Sequence, residues 1–231
     1  MRLPGFSRLL VAALFASLSP AGVSRAAAQT SVPPNQVDHF TDTSMLKPPT
    51  GAKVAIVEWE DLECPACAHA FPFVHQAVSH YKIPLVRYDF LIPGHMWSHQ
   101  AALYARYMQD KIAPDFAEDY RRQVFSSQYR IASQDDLVNF TKQYMSSHGK
   151  QLPFVVDPSG QLEREVQAEV NLGKKLNLQY TPTIVVVTPT RWIQVKDVSE
   201  LYSAIDQAMA STGAPAKTAA APAHRTATAH K

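Results

Sequence analysis

Lys53-Val54-Ala55-Ile56-Val57-Glu58-Trp59-Glu60, then Asp61-Leu62-Glu63, then Cys64-Pro65-Ala66-Cys67, is the stretch whose reading decides the fold. The first eight residues read as a buried strand, entered through the turn residues Lys47-Pro48-Pro49-Thr50-Gly51. Asp61–Glu63 is a loop, and the spacing predicts a helix from near Cys64 to about Tyr81, kinked by Pro72. The cysteine pair therefore sits at a strand-to-helix junction. Unsatisfied N–H groups of the first helical turn point at the first sulfur and favour the thiolate of Cys64. Cys67, one turn deeper, is expected to be more buried and less acidic. That asymmetry predicts an exposed attacking sulfur and a buried resolving one. A structural disulfide at this spacing closes too small a loop to stabilise much. A zinc site needs two further ligands, and no histidine pair stands at the usual downstream distance, although His95 and His99 have the pair's internal spacing.

Outward from this stretch, His39–Leu46 reads as a short edge strand and Leu85–Ile92 as a second central strand. Ser98 to His148 has helical spacing, with Pro114 separating two helices and Ser133 to Asp136 forming a capping box whose third residue is Asp. Gly160–Asn177 is a further helix, Thr183–Val187 a strand, Trp192–Lys196 its hairpin partner, and Ser199–Ala210 an amphipathic closing helix. The order is β-α-β, a helical block, then α-β-β-α. A right-handed crossover makes the first two long strands parallel, with helices on both faces.

The stretch Val57-Glu58-Trp59 to Cys64-Pro65-Ala66-Cys67 resembles the thioredoxin superfamily, and within it the DsbA-like periplasmic thiol–disulfide oxidoreductases. Glu58, six residues before Cys64, stands where that family keeps a buried acid, and Pro72 where thioredoxins kink the active-site helix. Tyr180-Thr181-Pro182-Thr183 is similar to the family's cis-proline loop, and Arg87-Tyr88-Asp89-Phe90 through His99-Gln100-Ala101-Ala102 to the entry of a DsbA-like helical insertion. The resemblance covers residues 36–210. It implies an α/β thioredoxin-like fold, with residues 36–97 and 176–210 as the thioredoxin-like domain and 98–175 as helical insertion and returning helix. The insertion is expected to cap the active site and supply an apolar groove.

The resemblance also implies the roles. Cys64 and Cys67 exchange disulfides, and Glu58 accepts the proton of Cys67, its carboxyl held high by an apolar setting. Pro65, Ala66, Thr181 and Pro182 meet the substrate, Thr181 through its backbone. The activity expected is disulfide formation in reduced, unfolded exported proteins, with no dissociable cofactor and a membrane-bound quinone-linked thiol oxidase as recycling partner. Ala66 stands where some members carry a histidine that stabilises the thiolate. A reductase or isomerase is the alternative within enzymes, and a periplasmic copper-binding assembly factor the alternative outside them. His69, His75 and His80 follow the pair along its helix and read as solvent-facing or packing residues, while His95, Trp97 and His99 form a loop that could rim the site.

Composition fits this picture. The chain has 231 residues, 46% hydrophobic and 18% charged, with a formal charge of +2. Arg2, Arg8 and Arg25 stand in an acid-free residues 1–28, leaving −1 for the remainder, and Lys217, Arg225 and Lys231 in an acid-free tail leave −4 for the middle. Binding to nucleic acid is not expected from such a body. Arg2 and Arg8, the apolar run from Leu9 to about Leu18 and Ala26-Ala27-Ala28 read as a secretory signal peptide cut after Ala28. About ten apolar residues fall short of the ~20 that span a bilayer. Export to the periplasm, an oxidising compartment, is the expectation. Residues 211–231, rich in Ala, Thr and Pro, are expected to be disordered. No separate dimerisation domain fits before the first long strand, so a monomer is expected.

Overall fold

The computed structural model describes residues 40–213, so the expected signal peptide and nearly all of the C-terminal tail lie outside the described residues. Strand β1 (Ala55–Glu60) is buried along its whole length, as an apolar run flanked by turn residues should be. It is central in a four-stranded sheet ordered β2-β1-β3-β4, with β2 at Leu85–Asp89, β3 at Thr183–Val187 and β4 at Trp192–Val195. β1 and β2 are parallel, Glu58 standing opposite Arg87 and Glu60 opposite Asp89. β3 runs antiparallel to both β1 and β4, with Glu58 opposite Ile184.

Among the described residues six α-helices surround the sheet: α1 (Pro65–Tyr81), α2 (Ser98–Lys111), α3 (Pro114–Ser127), α4 (Gln134–Ser147), α5 (Gln161–Leu176) and α6 (Leu201–Ser211). α1 and α6 cover one face, where Ala70, Val74, Leu201 and Ile205 pack on Ile56, Ile184 and Val186. The other face buries Val57, Trp59 and Val185 under Leu46, Leu176 and Leu178. Helices α2 to α4 build a third core that joins Tyr104, Met108, Tyr120 and Leu137 to Phe71 and both cysteines. The helical block thus caps the end of the sheet that carries the sulfurs.

Local chemistry sets the boundaries. Pro114 occupies the first turn of α3, where its missing N–H costs nothing. Ser133 caps α4 by accepting from the Asp136 N–H, while the Asp136 carboxylate accepts from the Ala132 N–H. Asn177 closes α5 in the left-handed region. Three expectations differ from the structure. β2 lies at the edge of the sheet rather than in its centre, because only β1 pairs with it. Residues 40–46 form no strand: the Thr41 N–H and hydroxyl donate to the Leu176 and Lys175 carbonyls, and Phe40 packs on Trp192 at 5.0 Å between centroids. The segment therefore satisfies the end of α5 instead of extending the sheet. β2 ends at Asp89: the Phe90 N–H makes a last bond to the Glu60 carbonyl of β1, and the Ile92 N–H then turns to the Asp61 carboxylate.

Candidate active site

Cys64 is the N-cap residue of α1 and Pro65 its first helical residue, with no side chain capping the turn. The first-turn N–H groups are therefore left to the Cys64 sulfur. The Cys64 N–H donates to the Asp61 carbonyl at 3.0 Å, and its thiol to the Thr181 carbonyl at 3.3 Å. The Thr181–Pro182 bond is cis. Pro65 is exposed and Ala66 half-buried, so Cys64, Cys67, Pro65, Ala66, Thr181 and Pro182 come together around the start of α1. Cys64 is less open than its sequence position implies, at 8% exposure, because the Thr181 carbonyl lies over its sulfur. Cys67 is closed off at 1%.

The two sulfurs hold protons very differently. A hydrogen bond from the Cys67 thiol, then contact with Thr181 and the Cys67 and Ala66 N–H groups, lower the Cys64 thiol from 9.0 to about 6 against the opposing effect of burial. Burial pushes Cys67 well up, and its bond to Cys64 and the nearby charges of Cys64 and Glu60 push the same way. The Cys67 sulfur accepts the Asp61 N–H at 3.4 Å.

Glu58 lies in the middle of β1, fully buried, with one carboxyl oxygen unpartnered among the described residues. Burial first, and the Glu60 charge second, raise its carboxyl to about 8. No hydrogen bond joins it to either cysteine among the described residues; its surroundings are Glu60, Arg87, Glu118 and Arg121. These belong to a buried ion network that sequence reading missed. Arg121 of α3 reaches Glu60 at 2.7 Å and Asp89 at 3.2 Å, and Arg87 reaches Glu60 at 3.2 Å and Glu118 at 2.6 Å. Arg106 pairs with Asp89 and Glu169, and His75 with Glu118 at 2.8 Å. A signal was available: Arg87 and Asp89 share one face of β2, where charges buried by the helices above cost too much to stand unpaired.

Three polar side chains fix the cysteine loop to the insertion or to the loop that leads into it, and none was singled out from sequence. The Asp61 carboxylate accepts from the Glu63 and Ile92 N–H groups and pairs with His95 Nδ1, each at 2.8 Å. The Glu63 carboxylate accepts from Met96, Trp97 and Ser98 at the start of α2, where an anion is favoured. Gln128 Nε2 donates to the Leu62 and Cys64 carbonyls at 2.8 and 3.1 Å. Of the histidines noted earlier, His69 is exposed against Phe73, His80 packs near Tyr81, and His99 pairs with Glu163.

The family model described as Thioredoxin matches residues 41–207. A periplasmic thioredoxin-like protein of Salmonella enterica serovar Typhimurium superposes with a TM-score of 0.55 at 16% identity, over 70% of this chain and 87% of that one. The thiol-disulfide exchange protein alpha-DsbA2 of Wolbachia pipientis gives 0.54 at 18% identity, over 70% and 84%. Oxidised BdbD of Bacillus subtilis gives 0.55 at 18% identity, over 75% and 98%. No match was found among curated proteins. With a strand-to-helix Cys-x-x-Cys, a cis-proline loop against its first sulfur and helices inserted after the second strand, the chain belongs to the thioredoxin family and has a DsbA-like fold.

Proposed function

We propose that the protein is a thiol–disulfide oxidoreductase that introduces disulfide bonds into exported proteins through Cys64 and Cys67. The observation that carries this reading is the opposed proton affinity of two sulfurs one helical turn apart. A substrate thiolate attacks the Cys64 sulfur of the oxidised pair, forming a mixed disulfide and expelling Cys67 as a thiolate that the Asp61 N–H receives. A second substrate thiolate then attacks the substrate sulfur of that mixed disulfide. The substrate leaves oxidised, Cys64 departs as a thiolate of low proton affinity, and two electrons stay on the pair. The sulfurs carry those electrons, so the exchange needs no dissociable cofactor.

The remaining roles follow from position. Glu58 serves as proton acceptor for Cys67, and Pro65, Ala66, Thr181 and Pro182 form the face offered to an extended substrate. The working compartment is the periplasm, reached through a signal peptide cut after Ala28, and the protein acts as a monomer. A membrane-bound quinone-linked thiol oxidase reoxidises the pair.

Direction is the point to test. Whatever stabilises the Cys64 thiolate stabilises only the reduced pair, and so makes the disulfide more oxidising. Equilibration with glutathione buffers and quantification of the pair is expected to give roughly −220 to −130 mV. A value near −270 mV would make the protein a reductase.

A further inference from the structure

Asp61 touches the cysteines twice, and its side chain is buried behind them. Its carbonyl accepts the Cys64 N–H, its own N–H donates to the Cys67 sulfur, and its carboxylate is wholly buried. That carboxylate has three donors: the Glu63 N–H from its own turn, the Ile92 N–H from the loop after β2, and His95 Nδ1. His95 is the one side chain among them, three-quarters buried, and its other ring nitrogen has no partner among the described residues. Neighbouring charges do not compete for it. Glu63 is occupied by three N–H groups of the α2 start, and Glu60 lies between Arg87 and Arg121. Cys64 and Cys67 face the peptide side of Asp61.

We propose that His95 is a positioning residue for the resolving sulfur: by holding the Asp61 carboxylate it fixes the peptide whose N–H bonds Cys67, and so sets how fast Cys67 attacks a mixed disulfide on Cys64. The inference rests on the exchange reading above. In the step concerned, Cys67 gives up its proton, with Glu58 as the acceptor, and attacks the Cys64 sulfur. The Cys64–Cys67 bond forms, the bond from Cys64 to the outside sulfur breaks, and that sulfur leaves as a thiolate carrying the electron pair. A buried carboxylate beside a sulfur that must become an anion is unfavourable unless its donors hold it in place and offset its charge. Loss of the imidazole leaves the carboxylate one donor short, free to turn toward water and to carry the Asp61 peptide with it.

Ellman's reagent tests this on the full reduced chain, because it releases one coloured thiolate when Cys64 attacks and a second when Cys67 resolves. His95→Leu removes the donor, whereas His95→Asn places an amide N–H where Nδ1 stands. The second release is expected to slow about tenfold in the Leu variant and to stay within about threefold of the parent in the Asn variant, with the first release within about twofold in both. An unchanged second release in the Leu variant, equal slowing of both releases, or an Asn variant as slow as Leu would overturn the proposal. A parent chain that releases only one equivalent would instead overturn the exchange reading itself.

Discussion

Glu58 and Glu60 occupy one face of the same strand, two residues apart, yet their neighbours treat them differently. Arg87 and Arg121 both close on Glu60, and none of the described ion pairs includes Glu58. The proton therefore stays on Glu58, whose carboxyl is raised from 4.5 to about 8 by burial and then by the Glu60 charge. Between those two values the folded chain holds a proton that the unfolded chain has released, so this residue makes stability fall as pH rises from about 4.5 to 8. Glu58→Gln resembles the protonated acid and removes that loss. The variant is expected to melt with the parent at about pH 5 and several degrees above it at about pH 8. A constant offset between the two melting curves across this range would mean that Glu58 does not titrate there. The buried position of Glu58 was legible from the apolar residues that flank it. Its company was not, because Arg121 comes from a helix some sixty residues away and no local pattern announces that it points at β1.

At the scale of elements, local signals worked where the chain itself supplies the physics. A proline at the first turn of α3, a serine cap on α4 and an asparagine closing α5 each satisfy backbone groups within a few residues, and each boundary was readable. Residues 40–46 misled because their partners are the last carbonyls of α5, a contact set by tertiary packing. The same helix shows how packing reverses a propensity. Gly173 lies inside α5, where Ala would ordinarily be better by about 1 kcal/mol. A Cβ there would stand 2.4 Å from Phe90 Cδ2 and 2.7 Å from Cε2, and the Phe90 ring is buried in the core under β1. Overpacking of a ring that has no room to swing costs about 1–3 kcal/mol, so it outweighs the helical gain. Gly173→Ala is expected to lower the denaturation midpoint, and Gly173→Ala with Phe90→Leu to recover part of the loss. An Ala variant as stable as the parent would show that α5 slides freely over β2.

For the whole molecule, the helical block and the sheet meet at the sulfurs, so the redox state of the pair bears on the stability of the entire chain. The effect has a sign that can be worked out. The Cys64 thiol is depressed from 9.0 to about 6 in the folded protein, which means that its contribution is fully present above the unfolded value and is lost as pH falls through about 6. At pH 7 this amounts to ~1 kcal/mol, at pH 8 to about twice that, and at pH 5 to almost nothing. Cys67 adds nothing over this span, since its proton affinity is raised and it remains a thiol in folded and unfolded chains alike. Glu58 titrates in both redox forms and largely cancels from their difference. A disulfide carries no proton, so only the reduced protein gains. The melting temperature of the reduced form minus that of the oxidised form is therefore expected to rise by several degrees between about pH 5 and pH 8, at ~2–4 °C per kcal/mol for a chain of this size. The oxidised form alone should lack the inflection near pH 6. A difference that stays flat, or that narrows as pH rises, would mean that the fold does not favour the Cys64 thiolate, and the oxidising direction of the chemistry would lose its physical basis.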